Sequence, residues 1–171
     1  MTDQVSQHAQ PYGLIGAAAG GALINALING GLAWLLFRPD QQLALWALPG
    51  TAFDVVAMCF GIAFGTGLVL TPQLRRQQRD GRVTAPALPP ERLLPFSRWP
   101  AGVFHRAFNL GALSVLLFAP PTITLLWLAG LDAMGYAQLI AFKAAFGAVH
   151  GALVTPIIGV GALVEPGTFE T

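Results

Sequence analysis

Residues 136–160 are apolar almost throughout, yet they include Lys143, the only lysine in the chain, and His150. A helix over this stretch, at 1.5 Å per residue, covers the roughly 30 Å of a bilayer's hydrocarbon core. Three runs of the same kind precede it, at residues 13–37, 51–70 and 101–128. Four such runs leave little room for a water-soluble fold. Of 171 residues, 54% are hydrophobic and 10% charged, against about 25% charged in an ordinary soluble domain. Too little polar surface is present to wrap a globule, so the sequence predicts an all-α membrane protein with four transmembrane helices. Cys59 is the single cysteine and sits in an apolar run, which rules out an internal disulfide and suggests a buried small hydrophobe. The first apolar run has no basic flank and is too long for the core of a secretory signal, so it is expected to be retained.

The expected organisation is a polar N-terminal tail (1–12), a first transmembrane hairpin (13–72), an Arg/Pro-rich loop (73–100), a second transmembrane hairpin (101–160) and a C-terminal tail (161–171). The net charge of +1 hides an uneven distribution. Arg75, Arg76, Arg79, Arg82, Arg92 and Arg98 all fall in the middle loop, whereas the connector at 38–40 holds one arginine. An excess of arginine in a short loop marks the cytoplasmic side, which puts both termini in the cytoplasm and suits a multi-pass protein of a bacterial inner (plasma) membrane. Leu93, Leu94, Phe96 and Trp99 are expected to lay the second half of that loop on the headgroups, where arginine meets anionic lipid. Nothing points to nucleic acid.

Local signals refine these limits. Residues 41–49 are short and apolar with Trp46, which suits the membrane interface. Thr51 and Asp54 resemble a capping box at the start of the second span, and Asp132 is placed to cap the fourth. Pro120 and Pro121 are expected to bend or break the third.

The hexad Gly67-Leu68-Val69-Leu70-Thr71-Pro72 aligns with Gly151-Ala152-Leu153-Val154-Thr155-Pro156, and Gly21-Ala22-Leu23 aligns with Gly111-Ala112-Leu113. This reads as an internal duplication of a helical hairpin. Because each copy has two spans, the copies enter the membrane in the same sense, as parallel repeats about an axis along the membrane normal. Thr71-Pro72 and Thr155-Pro156 are read as helix-end pairs. Each proline frees a carbonyl one turn back, at Leu68 and Ala152, which the threonine, a water or an ion can meet.

Asn25 and Asn29 share one face of the first span with Ala17 and Gly21, while Gly61/Gly65 and Gly147/Gly151 have the small-xxx-small spacing of close helix contacts. Lys143 lies roughly 10 Å deep at 1.5 Å per residue, where an unpaired charge costs up to about 3 kcal/mol. It must snorkel outward, pair with Asp54, or serve a ligand. By depth, Asn25 faces His150 and Asn29 faces Lys143, making a polar stripe of candidate ligand- or ion-binding residues: Lys143, His150, Asn25, Asn29 and Asp54. Arg106 is explained by snorkelling. His105 sits about one turn nearer the cytoplasm than His150, so a bis-histidine haem is disfavoured and no cofactor is predicted. No metal cluster, phosphate loop or catalytic constellation appears. The favoured function is a small transporter or channel-like bundle, forming a homo-oligomer or part of a larger membrane complex. The alternatives are a non-catalytic accessory or assembly subunit and, more weakly, a haem-binding redox subunit.

Overall fold

The computed structural model describes residues 10–86, 89 and 99–164. Among the described residues four helices dominate: α1 (Leu14–Leu36), α2 (Thr51–Arg79), α3 (Val103–Leu128) and α4 (Tyr136–Leu163). Each is long and apolar enough to cross a bilayer, the build of an integral, multi-pass membrane protein. Short strands among the same residues tie their ends: β1 (Gln10–Pro11), β2 (Gln42–Ala44), β3 (Val83–Thr84) and β4 (Ala133–Gly135). β1 pairs in parallel with β3, and β2 pairs antiparallel with β4, Leu43 opposite Met134. One end of the bundle therefore carries β2–β4 and the other β1–β3.

The two helices of each expected hairpin, α1 with α2 and α3 with α4, are not the ones that pack most closely on each other. The principal contacts are α1 with α4, α2 with α3, and α2 with α4. In lipid there is no water for apolar side chains to escape, so close van der Waals approach must hold the helices together, and small residues permit it. On the α1–α4 seam, Gly21 lies against Gly151 and Thr155, Gly147 against Asn25, and Gly30 against Ala144. That register makes the two helices antiparallel, and the Tyr136 hydroxyl completes it by donating to the Trp34 carbonyl at 3.0 Å. A Cβ on Gly147 would stand 2.6 Å from the Asn25 carbonyl oxygen, so this seam requires glycine. On the α2–α3 seam, Gly67 meets Ala107 and Gly111 meets Phe60. α4 touches both α1 and α2, and 61% of its apolar window is buried, which makes it the central helix.

Three buried clusters stack along the bundle. Leu43, Leu45, Val55, Cys59, Ala119, Leu126, Met134 and Leu139 fill the β2–β4 end. Met58, Ile62, Leu110, Val154 and Ile158 occupy the middle, and Leu74, Ala162 and Leu163 the β1–β3 end.

The helix limits at 14–36 and 103–128 lie close to the expected spans, but several local expectations are corrected. α2 does not stop at Pro72 but runs on to Arg79, so Thr71-Pro72 lies inside the helix rather than at its end. Leu74 packs on Ala162 and Leu163, contacts that carry the helix past one missing donor. Thr155-Pro156 is likewise internal, because α4 continues to Leu163 and takes in the first residues assigned to the C-terminal tail. Pro120 and Pro121 fall within the single helix α3 and do not break it.

Capping also differs. Gly50 precedes α2 with no side-chain cap, and the Thr51 hydroxyl donates to the Leu43 carbonyl at 3.3 Å. Gly135 precedes α4, its N–H donating to Gln138 Oε1 at 3.1 Å, while Asp132 accepts at its backbone carbonyl from Leu45 N–H. α2 and α3 both end in a Schellman turn closed by a glycine with positive φ, Gly81 at 68° and Gly130 at 71°, the conformation that glycine adopts without a Cβ penalty. Residues 1–9, 87–88, 90–98 and 165–171, with most of the expected headgroup-lying part of the loop, lie outside the described residues.

Candidate functional site

Because α1 leans on α4 and α2 leans on α3 and α4, a cleft of about 850 Å³ opens between α1 and α2. Ile24, Ile28, Asn25 and Asn29 form its α1 wall, Met58, Gly61, Ile62 and Gly65 its α2 wall, and Lys143 and Thr155 of α4 reach it from behind. Ile24 and Ile28 line it while more than half exposed, so it opens sideways between the two helices. Gly61 and Gly65 were expected to be a packing face. A Cβ on either would meet nothing within 4 Å, and they widen the cleft instead.

The expected pairing of Lys143 with Asp54 is present. Lys143 Nζ donates to Asp54 Oδ1 at 2.6 Å and lies 5.4 Å from the centre of the Phe37 ring. Lys143 is buried, and Asp54 is 20% exposed at the side chain. Two opposite charges in contact offset much of the cost of leaving water, provided their remaining polar atoms are satisfied. Here one is not: Asp54 Oδ2 is buried without a hydrogen-bond partner.

Asn25 and Asn29 are buried on the α1–α4 seam. Asn25 Nδ2 donates to the Gly21 carbonyl at 2.9 Å and Asn29 Nδ2 to the Asn25 carbonyl at 2.8 Å. Each amide thus commits one of its two N–H groups within α1, and Oδ1 is its acceptor. At the far end, Thr155 is buried with its hydroxyl unpartnered. The Tyr12 hydroxyl donates to the Thr155 carbonyl at 3.5 Å, and its ring packs on Gly159. Burial pushes the Tyr12 phenol up to about 12, which keeps it a neutral donor.

His150 leaves the expected stripe. Instead of facing Asn25, it shares a hydrogen bond of 2.6 Å between Nε2 and Ser114 Oγ of α3, with the Phe118 and Phe146 rings 4.6 and 5.4 Å away. It does not line the cleft. His105 is exposed on α3, whereas His150 is buried. Among the described residues no three His, Cys, Asp or Glu side chains cluster as a metal site. Thr71 is buried with an unpartnered hydroxyl and also lies off the cleft.

Arg106 was expected to snorkel but is buried. Its Nη1 donates to the Gly161 carbonyl and its Nε to the Pro100 carbonyl at 3.0 Å. Near the same helix end, Gln78 Nε2 donates to the Leu163 carbonyl at 3.0 Å. The last carbonyls of a helix have no intrahelical partner, and a cation there also meets the negative end of the dipole. Arg106 and Gln78 thus lock the end of α4. Comparison with protein-family models, curated proteins and solved structures finds no match for this chain.

Proposed function

We propose that this protein is a small transporter or channel-like bundle whose working surface is the α1–α2 cleft, with Lys143 and Asp54 at one mouth and Thr155 and Tyr12 at the other. One observation carries this reading. An ion pair at membrane depth faces a cleft and leaves one carboxylate oxygen without a partner. Ionisable groups within spans face a bundle interior or cavity and mark substrate or ion routes by default. His150, tied to Ser114, is left out of the route, which consists of Lys143, Asp54, Asn29, Asn25 and Thr155.

The orientation follows from charge. Arg75, Arg76 and Arg79 close α2 and Arg82 precedes β3, so the β1–β3 end faces the cytoplasm, where these arginines meet anionic lipid. The ion pair then sits at the outer mouth. The internal duplication belongs to the same proposal. Its support is that α1 lies on α4 as α3 lies on α2, that α2 and α4 run side by side, and that the two hairpin connectors pair as β2–β4.

The test is solute flux in liposomes. Lys143→Met is expected to abolish flux while insertion and oligomeric state stay unchanged. Undiminished flux in that variant refutes the reading.

A further inference from the structure

The proposed duplication supplies an internal comparison for the cleft. Aligning Thr71-Pro72 with Thr155-Pro156 sets Met58, Ile62 and Thr66 of α2 against Phe142, Phe146 and His150 of α4, and aligning Gly21 with Gly111 sets Ile24 and Ile28 against Ser114 and Phe118. In the second half these five positions form a plug: Phe142 stacks on Phe146, and His150 sits between Phe146 and Phe118 with its hydrogen bond to Ser114. In the first half the same positions carry smaller or non-aromatic side chains, and there the cleft is open. One gap is filled from within and the other is left for an occupant.

The polar groups restrict what that occupant is. Asp54 Oδ2 is an unpartnered buried acceptor, Asn25 and Asn29 each hold one amide N–H on an α1 carbonyl, and the Thr155 hydroxyl is nine-tenths buried and free. Apart from Tyr12, Thr66 and Gln73 towards the β1–β3 end, the rest of the lining is aliphatic, methionine or glycine, and the cleft opens sideways. The net charge of the Lys143–Asp54 pair is zero. A charged headgroup would have to displace one partner from a 2.6 Å contact or leave an uncompensated charge in low dielectric. A neutral donor leaves the pair intact and satisfies Oδ2.

We infer that the cleft binds an uncharged amphiphile with a hydroxyl-type hydrogen-bond donor, its donor on Asp54 Oδ2 and its apolar chain along Ile24, Ile28, Gly61 and Gly65. This deepens the transporter reading by naming its ligand class, and rests on that reading for the cleft's purpose.

The test is photolabelling in phosphatidylcholine nanodiscs with a dodecyl alcohol that carries a diazirine in its chain, the insertion sites being mapped by mass spectrometry. Insertion is expected at α1 and α2 residues lining the cleft. It should be competed by 1-dodecanol but not by dodecyl methyl ether, dodecanoate or dodecylammonium. Gly61→Phe, whose ring enters open space, should abolish it. Asp54→Asn leaves Lys143 unpaired and destabilises the fold, so Asp54→Asn/Lys143→Met is used, with labelling expected to fall several-fold. Equal competition by the ether or a charged analogue overturns the inference, as does labelling spread over lipid-facing positions and unchanged by Gly61→Phe. A disulfide-linked dimer of Gly61→Cys without labelling assigns the cleft to a second copy and also overturns it. Competed labelling in a protein without flux supports this site and refutes transport alone, whereas flux lost in Gly61→Phe without labelling of the wild type refutes the ligand class alone.

Discussion

Removing the two charges of the Lys143–Asp54 pair one at a time or together should give opposite outcomes. Asp54→Asn keeps the shape but leaves Lys143, 8% exposed, as an ammonium with no counterion. Breaking a buried pair from one side costs about 3–5 kcal/mol. The lower figure applies here because Asp54 is 20% exposed and insertion scales set a central lysine at about 3 kcal/mol. The Phe37 ring, 5.4 Å from Nζ, is there with or without the carboxylate and cancels in the difference. The expected loss is therefore about 3 kcal/mol. Lys143→Met strands the carboxylate instead, with a similar or smaller loss because Asp54 is the more exposed of the two. In Asp54→Asn/Lys143→Met no charge remains and methionine fills most of the lysine stem, so the loss should be about 1 kcal/mol or less. The double variant is thus predicted to be more stable than Asp54→Asn by about 2 kcal/mol. Unfolding by sodium dodecyl sulfate from mixed micelles, followed through the four tryptophans, measures all three variants. A double variant no more stable than the weaker single one would refute the claim that the pair is buried and mutually compensating.

Further outcomes follow from the packing. Gly147→Ala drives a Cβ to 2.6 Å from the Asn25 carbonyl oxygen and should cost about 1–3 kcal/mol by overpacking, whereas Gly61→Ala, with nothing within 4 Å, should change stability by less than about 0.5 kcal/mol in the same titration. Ser114→Ala leaves His150 without its partner and should cost about 0.6–2 kcal/mol, the range for interhelical hydrogen bonds in membranes, with no effect on flux because His150 lies off the cleft. Arg106→Met removes the donors to Gly161 and Pro100 and should speed hydrogen exchange at the β1–β3 end of α4, leaving its start unchanged.

Which parts were legible in the sequence follows from range. The apolar runs fix the four spans, because backbone satisfaction in lipid admits little besides helices, and α1 and α3 fall where composition puts them. Local rules failed where distant contacts compete with them. Pro72 looked like a stop, but Leu74 beyond it buries on Ala162 and Leu163. Asp54 looked like half of a capping box, but its carboxylate is taken by Lys143. The spacing of Lys143 and His150 puts both on nearly one face of α4, yet that face meets α2 at Lys143 and α3 at His150. Periodicity gives a face; it does not give the neighbour. The cleft had no sequence signal, since it arises from which helices pack, and Gly61 and Gly65 read like an ordinary small-residue contact.

Transport through this bundle requires that the α1–α2 cleft be reachable from water beside the ion pair, and thiol accessibility measures that. With Cys59 replaced by alanine, single cysteines at Ala57, which lines the cleft, and at Val56, its exposed neighbour outside it, lie at nearly the same depth, about 8–9 Å from the start of α2 at 1.5 Å per residue. Thiols react as thiolates, which form in water and not in hydrocarbon. A membrane-impermeant thiol reagent added from outside should label Ala57→Cys readily and Val56→Cys hardly at all. Equal labelling of the two, or none of either, would contradict the account.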